Sequence, residues 1–325
     1  MPVHIFIQGD KFSNTRNIVQ WIASRTGWPV VTDSDLIRQA AGRFGMQPER
    51  IERDLHIPDP VMPRRARRRK RAMAFLEASL AETLRGEAGI LWGMAGHLIP
   101  RKMPHILRVL VTADAADRIK RASEDRNIPE KEARHQIRAN DRLLFQWHHH
   151  LFGTESFDAV SYDVVVPSGV LDTEAAALLI FEHLTEKAEA APVDVETALE
   201  DFSLAVNVQM ALAEKRDDIT ASAENGRVTL TIDSNVLRLD SKVRSLKRLV
   251  GGMPNVAGVE VKVGRNYHRS DIYRRCRFEM SPGLQFMNLA RRRRHLRRSA
   301  VSRLPADIGK RPLPNQIGLG RPLNM

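Results

Sequence analysis

The chain has 325 residues, a hydrophobic fraction of 42% and one cysteine, which allows two globular cores and excludes a disulfide framework or a cysteine-based zinc cluster. No apolar run approaches the roughly 18 to 20 residues of a membrane-spanning helix, and the start, MPVHIFIQGDKF, is not patterned as a secretory signal, so a cytoplasmic protein is expected. The net charge of +12 is local: residues 265–325 hold 15 of the 51 Lys/Arg and 3 of the 39 Asp/Glu, leaving 36 of each sign in residues 1–264.

Val3–Gln8 predicts a short buried strand, followed by a polar turn over Gly9–Thr15 and a helix over Arg16–Thr26 with Ile18, Val19, Trp21 and Ile22 as its apolar stripe. Gly27 is placed to stop that helix. Trp28–Thr32 is a second strand, and Asp33 or Ser34 is expected to cap a helix running to about Phe44. Pro58, Pro60 and Pro63 break the helical stretches that follow, and Arg64–Gly86 reads as one long helix opening on a basic block, Arg64–Arg71. Gly89–Trp92 and Ile106–Thr112 are continuous apolar runs, as in strands buried on both faces of a parallel sheet. Helices over Ala113–Asp125 and Pro129–His150, a strand over Asp163–Pro167 and a helix over Thr173–Ala188 complete an α/β doubly wound parallel sheet, expected to end at residue 191.

A second, small α+β unit is expected over 196–264: a helix (Ala198–Ala213), a hairpin turning at Asn225-Gly226, a second helix (Ser241–Val250) and a third strand (Val259–Val263). Residues 265–325 form an Arg-rich, then Pro/Gly-rich tail, expected to be disordered.

The segments IFIQGDKFSNTRNIVQWIASRTGWPVVTDSDLI, ILWGMAGHLIP, HILRVLVTADAADRIKRASEDRNIPEKEARHQIRANDR and SYDVVVPSG, taken as a series over about residues 3–187, resemble the cytidylate kinase-like family of P-loop nucleoside monophosphate kinase relatives. The phrases NGRVTL and PNVAGVEVKV, with the element order around them, resemble a BON domain, a family described as binding membranes, phospholipid or partner proteins. The first resemblance implies a P-loop kinase-like fold that uses ATP and magnesium.

That resemblance also shows where the chemistry departs. A phosphate loop needs successive backbone N–H groups curled around a phosphate, and a cation at the transferred group. The family's Gly-Ser-Gly-Gly falls here on Phe12, Ser13, Asn14 and Thr15, where Ser13 alone matches, and Gly9 and Lys11 are offset from a GxxxxGK[ST] pattern. Met94 stands where the resemblance implies an arginine, as do Leu144 and Gln146 after Asp141. Arg16, Arg118 and Arg121 remain as phosphate candidates, with Arg138 and Arg142, which share a helical face with Arg134. That face reads equally as a solvated one balanced by Glu130, Glu132 and Asp141. Asp33 and Asp35 match acceptor-side acidic positions, and N-capping is their alternative role.

His148, His149 and His150 are adjacent on a helix, so they point about 100° apart and cannot converge on one metal ion. Trp92, Trp147 and Tyr162 are expected to pack core or lid surfaces, and Cys276 is a lone thiol. Arg291, Arg292, Arg293, Arg294, Arg297 and Arg298 form a polyanion-binding block suited to nucleic acid, anionic lipid or an acidic protein. Three readings follow: a degenerate family member that binds nucleotide or anion as a regulatory or assembly protein, an active CMP-type kinase, or an adaptor that binds no nucleotide. A homo-oligomer is compatible with each.

Overall fold

The computed structural model describes residues 3–56, 63–152, 161–190, 194–213, 219–233, 236, 238–264 and 267. Cys276, Pro192 and the basic tail other than Tyr267, with its arginine block, lie outside the described residues, as do the side chains of Trp147 and His148–His150. Tyr267, expected in a disordered tail, is instead buried in the core of the small sheet, because its ring packs among apolar residues and its hydroxyl donates to the Val236 carbonyl.

The chain begins with β1 (His4–Gly9), α1 (Thr15–Thr26), β2 (Val30–Thr32), α2 (Asp33–Phe44), α3 (Pro48–Leu55) and α4 (Pro63–Thr83). β3 (Ile90–Trp92) runs into a 3-10 turn (Ala95–Leu98), then β4 (Ile106–Thr112), α5 (Ala115–Arg126), α6 (Glu130–Phe152), β5 (Val164–Pro167) and α7 (Thr173–Ala190). The five strands are all parallel, in the order β2-β3-β1-β4-β5, so β1 lies at the centre.

Strand alternation divides the apolar residues between two layers. Phe6, Leu91, Ile106 and Leu110 face the core under α2, α3 and α4. Ile5, Ile7, Ile90, Val109 and Val111 face the core under α1 and α7. Burial on both faces is why these strands read as unbroken apolar runs. Arg108 interrupts the β4 run yet is only 6% exposed. Its Nη2 donates to the Pro100 carbonyl at 2.8 Å and to the Ile99 carbonyl at 3.3 Å.

Helix ends follow local chemistry. Gly27 closes α1 at φ 71°, its N–H donating to the Ala23 carbonyl. The start of α2 differs from expectation: neither Asp33 nor Ser34 caps it. Thr32 does, in a reciprocal capping box with Asp35, because the Asp33 carboxylate is engaged elsewhere.

The remaining elements are α8 (Val195–Ala213), β6 (Ile219–Glu224), β7 (Arg227–Ile232), α9 (Leu239–Gly251) and β8 (Gly258–Val263). β6 and β7 pair antiparallel across Asn225 and Gly226, whose φ angles of 51° and 72° fit a tight hairpin turn. β8 then adds parallel to β7. α8 serves two cores. Val195, Leu199, Phe202 and Val206 pack into the α4 layer, whereas Leu204, Val208 and Leu212 pack against the small sheet.

Candidate functional site

The loop between β1 and α1 lies at the C-terminal edge of the sheet, where open α/β sheets place their ligands. Asp10 N–H donates to the Val111 carbonyl at 3.2 Å, tying the loop to the end of β4. Phe12 and Asn14 both adopt φ 64°, the left-handed region. Two of the three positions where the resemblance implies glycine, Phe12 and Asn14, therefore still turn as glycines would, at a cost of roughly 1–2 kcal/mol each, less for Asn.

Phe12 gains burial in exchange. Its ring packs against Ile119, Ala122, Ala133 and Ile137, a small core between α5 and α6. The Arg126 guanidinium lies 5.2 Å from its centroid and Lys11 Nζ 5.8 Å away. The interior of the loop is occupied too. A Cβ built on Gly9 would overlap Thr15 Oγ1 and sit 2.7 Å from Thr15 Cβ. The Ser13 hydroxyl lies 2.6 Å from the Asp10 carbonyl, to which it donates, and 2.7 Å from Thr15 Oγ1. Asn14 is the N-cap of α1 without a side-chain cap hydrogen bond, and the first turn carries no acidic residue. The positive end of that helix therefore stays open to an anion.

The candidate arginines separate into three groups. Arg118 is buried and committed: Nη1 and Nη2 donate to the two Asp141 oxygens at 3.0 and 2.6 Å, and Nε donates to the Lys11 carbonyl at 2.8 Å. Asp10 Oδ2 lies 4.0 Å from the same guanidinium. Arg121 donates through Nη2 to the Ser168 carbonyl at 2.9 Å. Its Nη1 is buried and has no hydrogen-bond partner among the described residues. Arg134, Arg138 and Arg142 are exposed along α6 and form no ion pair with a described residue. Arg16 is exposed at the start of α1, its guanidinium 6.0 Å from the Trp92 ring centroid.

The substituted positions differ in burial. Met94 is 7% exposed and packs inside. Leu144 packs against the α4-side core, and Gln146 is exposed. Asp33 accepts the Met94 and Ala95 N–H groups, both at 2.8 Å. It thereby caps the 3-10 turn, and burial pushes its carboxyl up. Gly93, at φ 146°, leaves the space this carboxylate fills, since a Cβ there would overlap it. Hydrogen bonds from the Thr32 side chain and backbone hold Asp35 below the usual carboxylate range, with Arg38 adding to the effect.

The structure thus gathers Gly9, Lys11, Ser13, Asn14, Thr15, Arg118 and Arg121 around one loop, and engages Asp33 and Asp35 in local caps. Three participants had not been singled out. Ser168 donates its hydroxyl to the Ser13 carbonyl, Thr173 Oγ1 accepts from Asn14 Nδ2 at 3.0 Å, and Asp10 faces Arg118. The only sequence signal for the first two is position: Ser168 directly follows a buried strand, and Thr173 opens the helix after it. Tyr162 does pack as expected, with Phe6 and His97.

A central parallel strand feeding a phosphate-type loop and a helix N-terminus defines a P-loop kinase-like α/β protein. The cytidylate kinase-like family model matches residues 4–169, and the chain belongs to that family. No curated protein matches it. Among solved structures, an uncharacterized protein from Eubacterium ventriosum is 14% identical, with 56% of this chain and 98% of that one covered at a TM-score of 0.44. A shikimate kinase from Bacteroides thetaiotaomicron is 13% identical, with 57% and 98% covered at 0.34. A sugar kinase from Janibacter sp. is 14% identical, with 61% and 98% covered at 0.31. Among the described residues, no helix is long and apolar enough to cross a membrane.

Proposed function

We propose that this family member binds a nucleotide or related phosphate anion in a regulatory or assembly role, with weak or no phosphoryl transfer. The observation that carries the reading is Arg121 Nη1, a buried guanidinium nitrogen without a partner among the described residues, beside the loop that Ser168 fastens. An unmatched buried cationic donor is costly, and a phosphate oxygen would satisfy it. The uncapped N-terminus of α1 supports the same ligand.

Low turnover follows from missing charge. Phosphoryl transfer is positioning plus stabilisation of charge on the transferred group. Met94, Leu144 and Gln146 supply no cation, and Arg118 is spent on Asp141. Among the described residues no group of three or more His, Cys, Asp or Glu is arranged to hold a metal. The helix–hairpin–helix–strand order of α8 to β8 supports reading 196–264 as a BON-like domain after the kinase-like domain at 1–191, with α8 packed against both.

Calorimetric titration of ATP, CTP and CMP, with and without magnesium, followed by a turnover assay, tests the proposal. Nucleotide binding with ATP-to-CMP turnover far below the usual ~1–100 per second is expected. Turnover inside that range would establish a working kinase, and absence of any nucleotide binding would leave the adaptor reading.

A further inference from the structure

α4 turns Lys70, Met73, Ala74 and Glu77 toward α8, and between these helices and the β6–β7 hairpin lies an open cavity of about 760 Å³. That volume falls within the ~300–1,000 Å³ of small-molecule sites, which favour interfaces between structural units. Met73, Leu98, Met103, Ala198, Phe202 and Val206 give it apolar walls.

Its polar groups are almost all committed. Lys102 pairs with Glu224 at 2.9 Å. Asp201 accepts the Asn225 and Gly226 N–H groups at 2.7 and 2.8 Å, holding the hairpin turn. Asp194 accepts the Thr197 N–H at 3.2 Å. Gln209 donates to the Ile219 carbonyl and accepts the Ala221 N–H. Arg69 and Lys70 also have partners. Of the described charged residues lining the cavity, Arg101, which is exposed, and Glu77, which is half-buried, pair with no other described residue.

We propose that this cavity binds an organic cation, a primary ammonium on an apolar body, with the Glu77 carboxylate as its counter-ion. A half-buried carboxylate beside apolar walls is partly stripped of water, and an ammonium donating to it offsets that loss. The apolar walls accept the rest of the ligand. A neutral or anionic ligand of the same shape would leave Glu77 unmatched.

Proton linkage makes the site distinguishable. Burial pushes the Glu77 carboxyl up to about 7. The other charged groups around it are Arg69 and Lys70 on α4, Arg101 and Lys102 before β4, Asp194 and Asp201 at and on α8, and Glu224 on β6. Among the described residues no histidine lines the cavity, and Glu77 is the described group there whose carboxyl is pushed toward neutral pH. An ammonium selects the ionised form, so binding below pH 7 releases a proton and affinity rises with pH. Ionisation goes from about 0.1 to about 0.9 between pH 6 and pH 8, giving a roughly tenfold gain.

Calorimetric titration of the full chain with n-hexylammonium chloride at pH 6, 7 and 8 tests this. Binding about tenfold tighter at pH 8 than at pH 6, with about one proton released per site at pH 6, is expected. Glu77→Gln should abolish both. Undetectable binding at millimolar probe at every pH, or wild-type affinity in E77Q, overturns the proposal. If circular dichroism shows E77Q unfolded, Ala205→Leu fills the same cavity and must weaken hexylammonium binding; unchanged affinity there is equally fatal. ATP titration in the same variants should be unaltered, which keeps this site separate from the phosphate loop.

Discussion

The Arg118 guanidinium forks onto the Asp141 carboxylate at 3.0 and 2.6 Å, joining α5 to α6 directly behind the phosphate loop. The same side chain holds the Lys11 carbonyl at 2.8 Å. A cation at a position that the family resemblance assigns to phosphate is here a structural clamp between the loop and the helix over it.

Arg118→Leu should therefore act on stability first. It removes the guanidinium that pairs with the partly buried Asp141 and holds the Lys11 carbonyl, and removing one partner from a largely buried charge pair costs up to about 3–5 kcal/mol. Urea unfolding measures it. A loss below about 0.5 kcal/mol, the range of inert surface changes, would show that the clamp does not hold in solution.

Gly9 is required by the close approach of Thr15. Gly9→Ala should destabilise by about 1–3 kcal/mol through overpacking, since the new methyl overlaps Thr15 Oγ1 and Cβ. Thr15→Gly should relieve most of that penalty in the double variant, giving a coupling energy of similar size in a double-mutant cycle. Independent, additive effects would mean that the loop does not hold the Thr15 side chain against Gly9.

Stability should fall with acidification between pH 6.5 and 4. His4 and His105 are each 1% exposed, with ring centroids 5.7 Å apart, edge to face. Burial is the main cause that lowers both imidazoles to about 4 from an ordinary 6.5. Because the folded values lie below the unfolded ones, the unfolded chain takes up more protons in this window. Their contribution is complete above pH 6.5 and is lost as pH falls toward 4, by roughly 3 kcal/mol per imidazole. Denaturation midpoints at pH 7 and pH 4.5 measure the slope. The double variant His4→Leu, His105→Leu should flatten it; an unchanged slope assigns the acid sensitivity to other groups.

A chain ending at residue 191 should be less stable than one ending at 213. Val195, Leu199, Phe202 and Val206 of α8 cover the α4 layer, and each apolar side chain withdrawn from water contributes about 1.5–3 kcal/mol. Equal thermal midpoints for the two truncations would show that the 1–191 domain stands alone.

Truncation after Gly264 should remove most affinity for heparin, because residues 265–325 carry the entire net charge while the body has equal numbers of each sign. Binding should weaken steeply with salt, as each neutralised phosphate or sulfate releases about 0.7–0.9 of a counterion. The rival source is Arg64–Arg71, where Arg68 is already paired with Asp54 and Arg71 lies 5.1 Å from the Phe75 ring centroid. Retained affinity in the truncation would assign binding to that helix.

Element types and order were legible because their signals are local. Apolar runs such as Ile106–Thr112, the stripe on α1, Gly27 as a stop and Asn225-Gly226 as a hairpin each depend on neighbours in sequence. The helix start at Thr32 was misread between adjacent polar residues, since a capping box and a distant engagement of Asp33 look alike in a string of Thr, Asp, Ser and Asp. Which arginine clamps and which stays open was not legible at all. Arg118 and Arg121 are three residues apart on α5, and only the positions of Asp141 and Ser168 separate them.

The sequence by itself determined the parallel α/β order, the hairpin unit after it and the location of the excess charge, because periodicity and composition are properties of short segments; the missing glycines at the loop and the missing arginines at Met94, Leu144 and Gln146 are what the family resemblance implies. The tertiary structure alone decided that Phe12 is absorbed into the α5–α6 core, that Thr15 fills the space beside Gly9, that α8 belongs to two cores and that Glu77 faces an open cavity. Apart from Thr15 beside Gly9, six residues away, those outcomes depend on which surfaces meet across 50 or more residues of chain, as for Met73 and Ala198 about one cavity, and no local pattern encodes that distance.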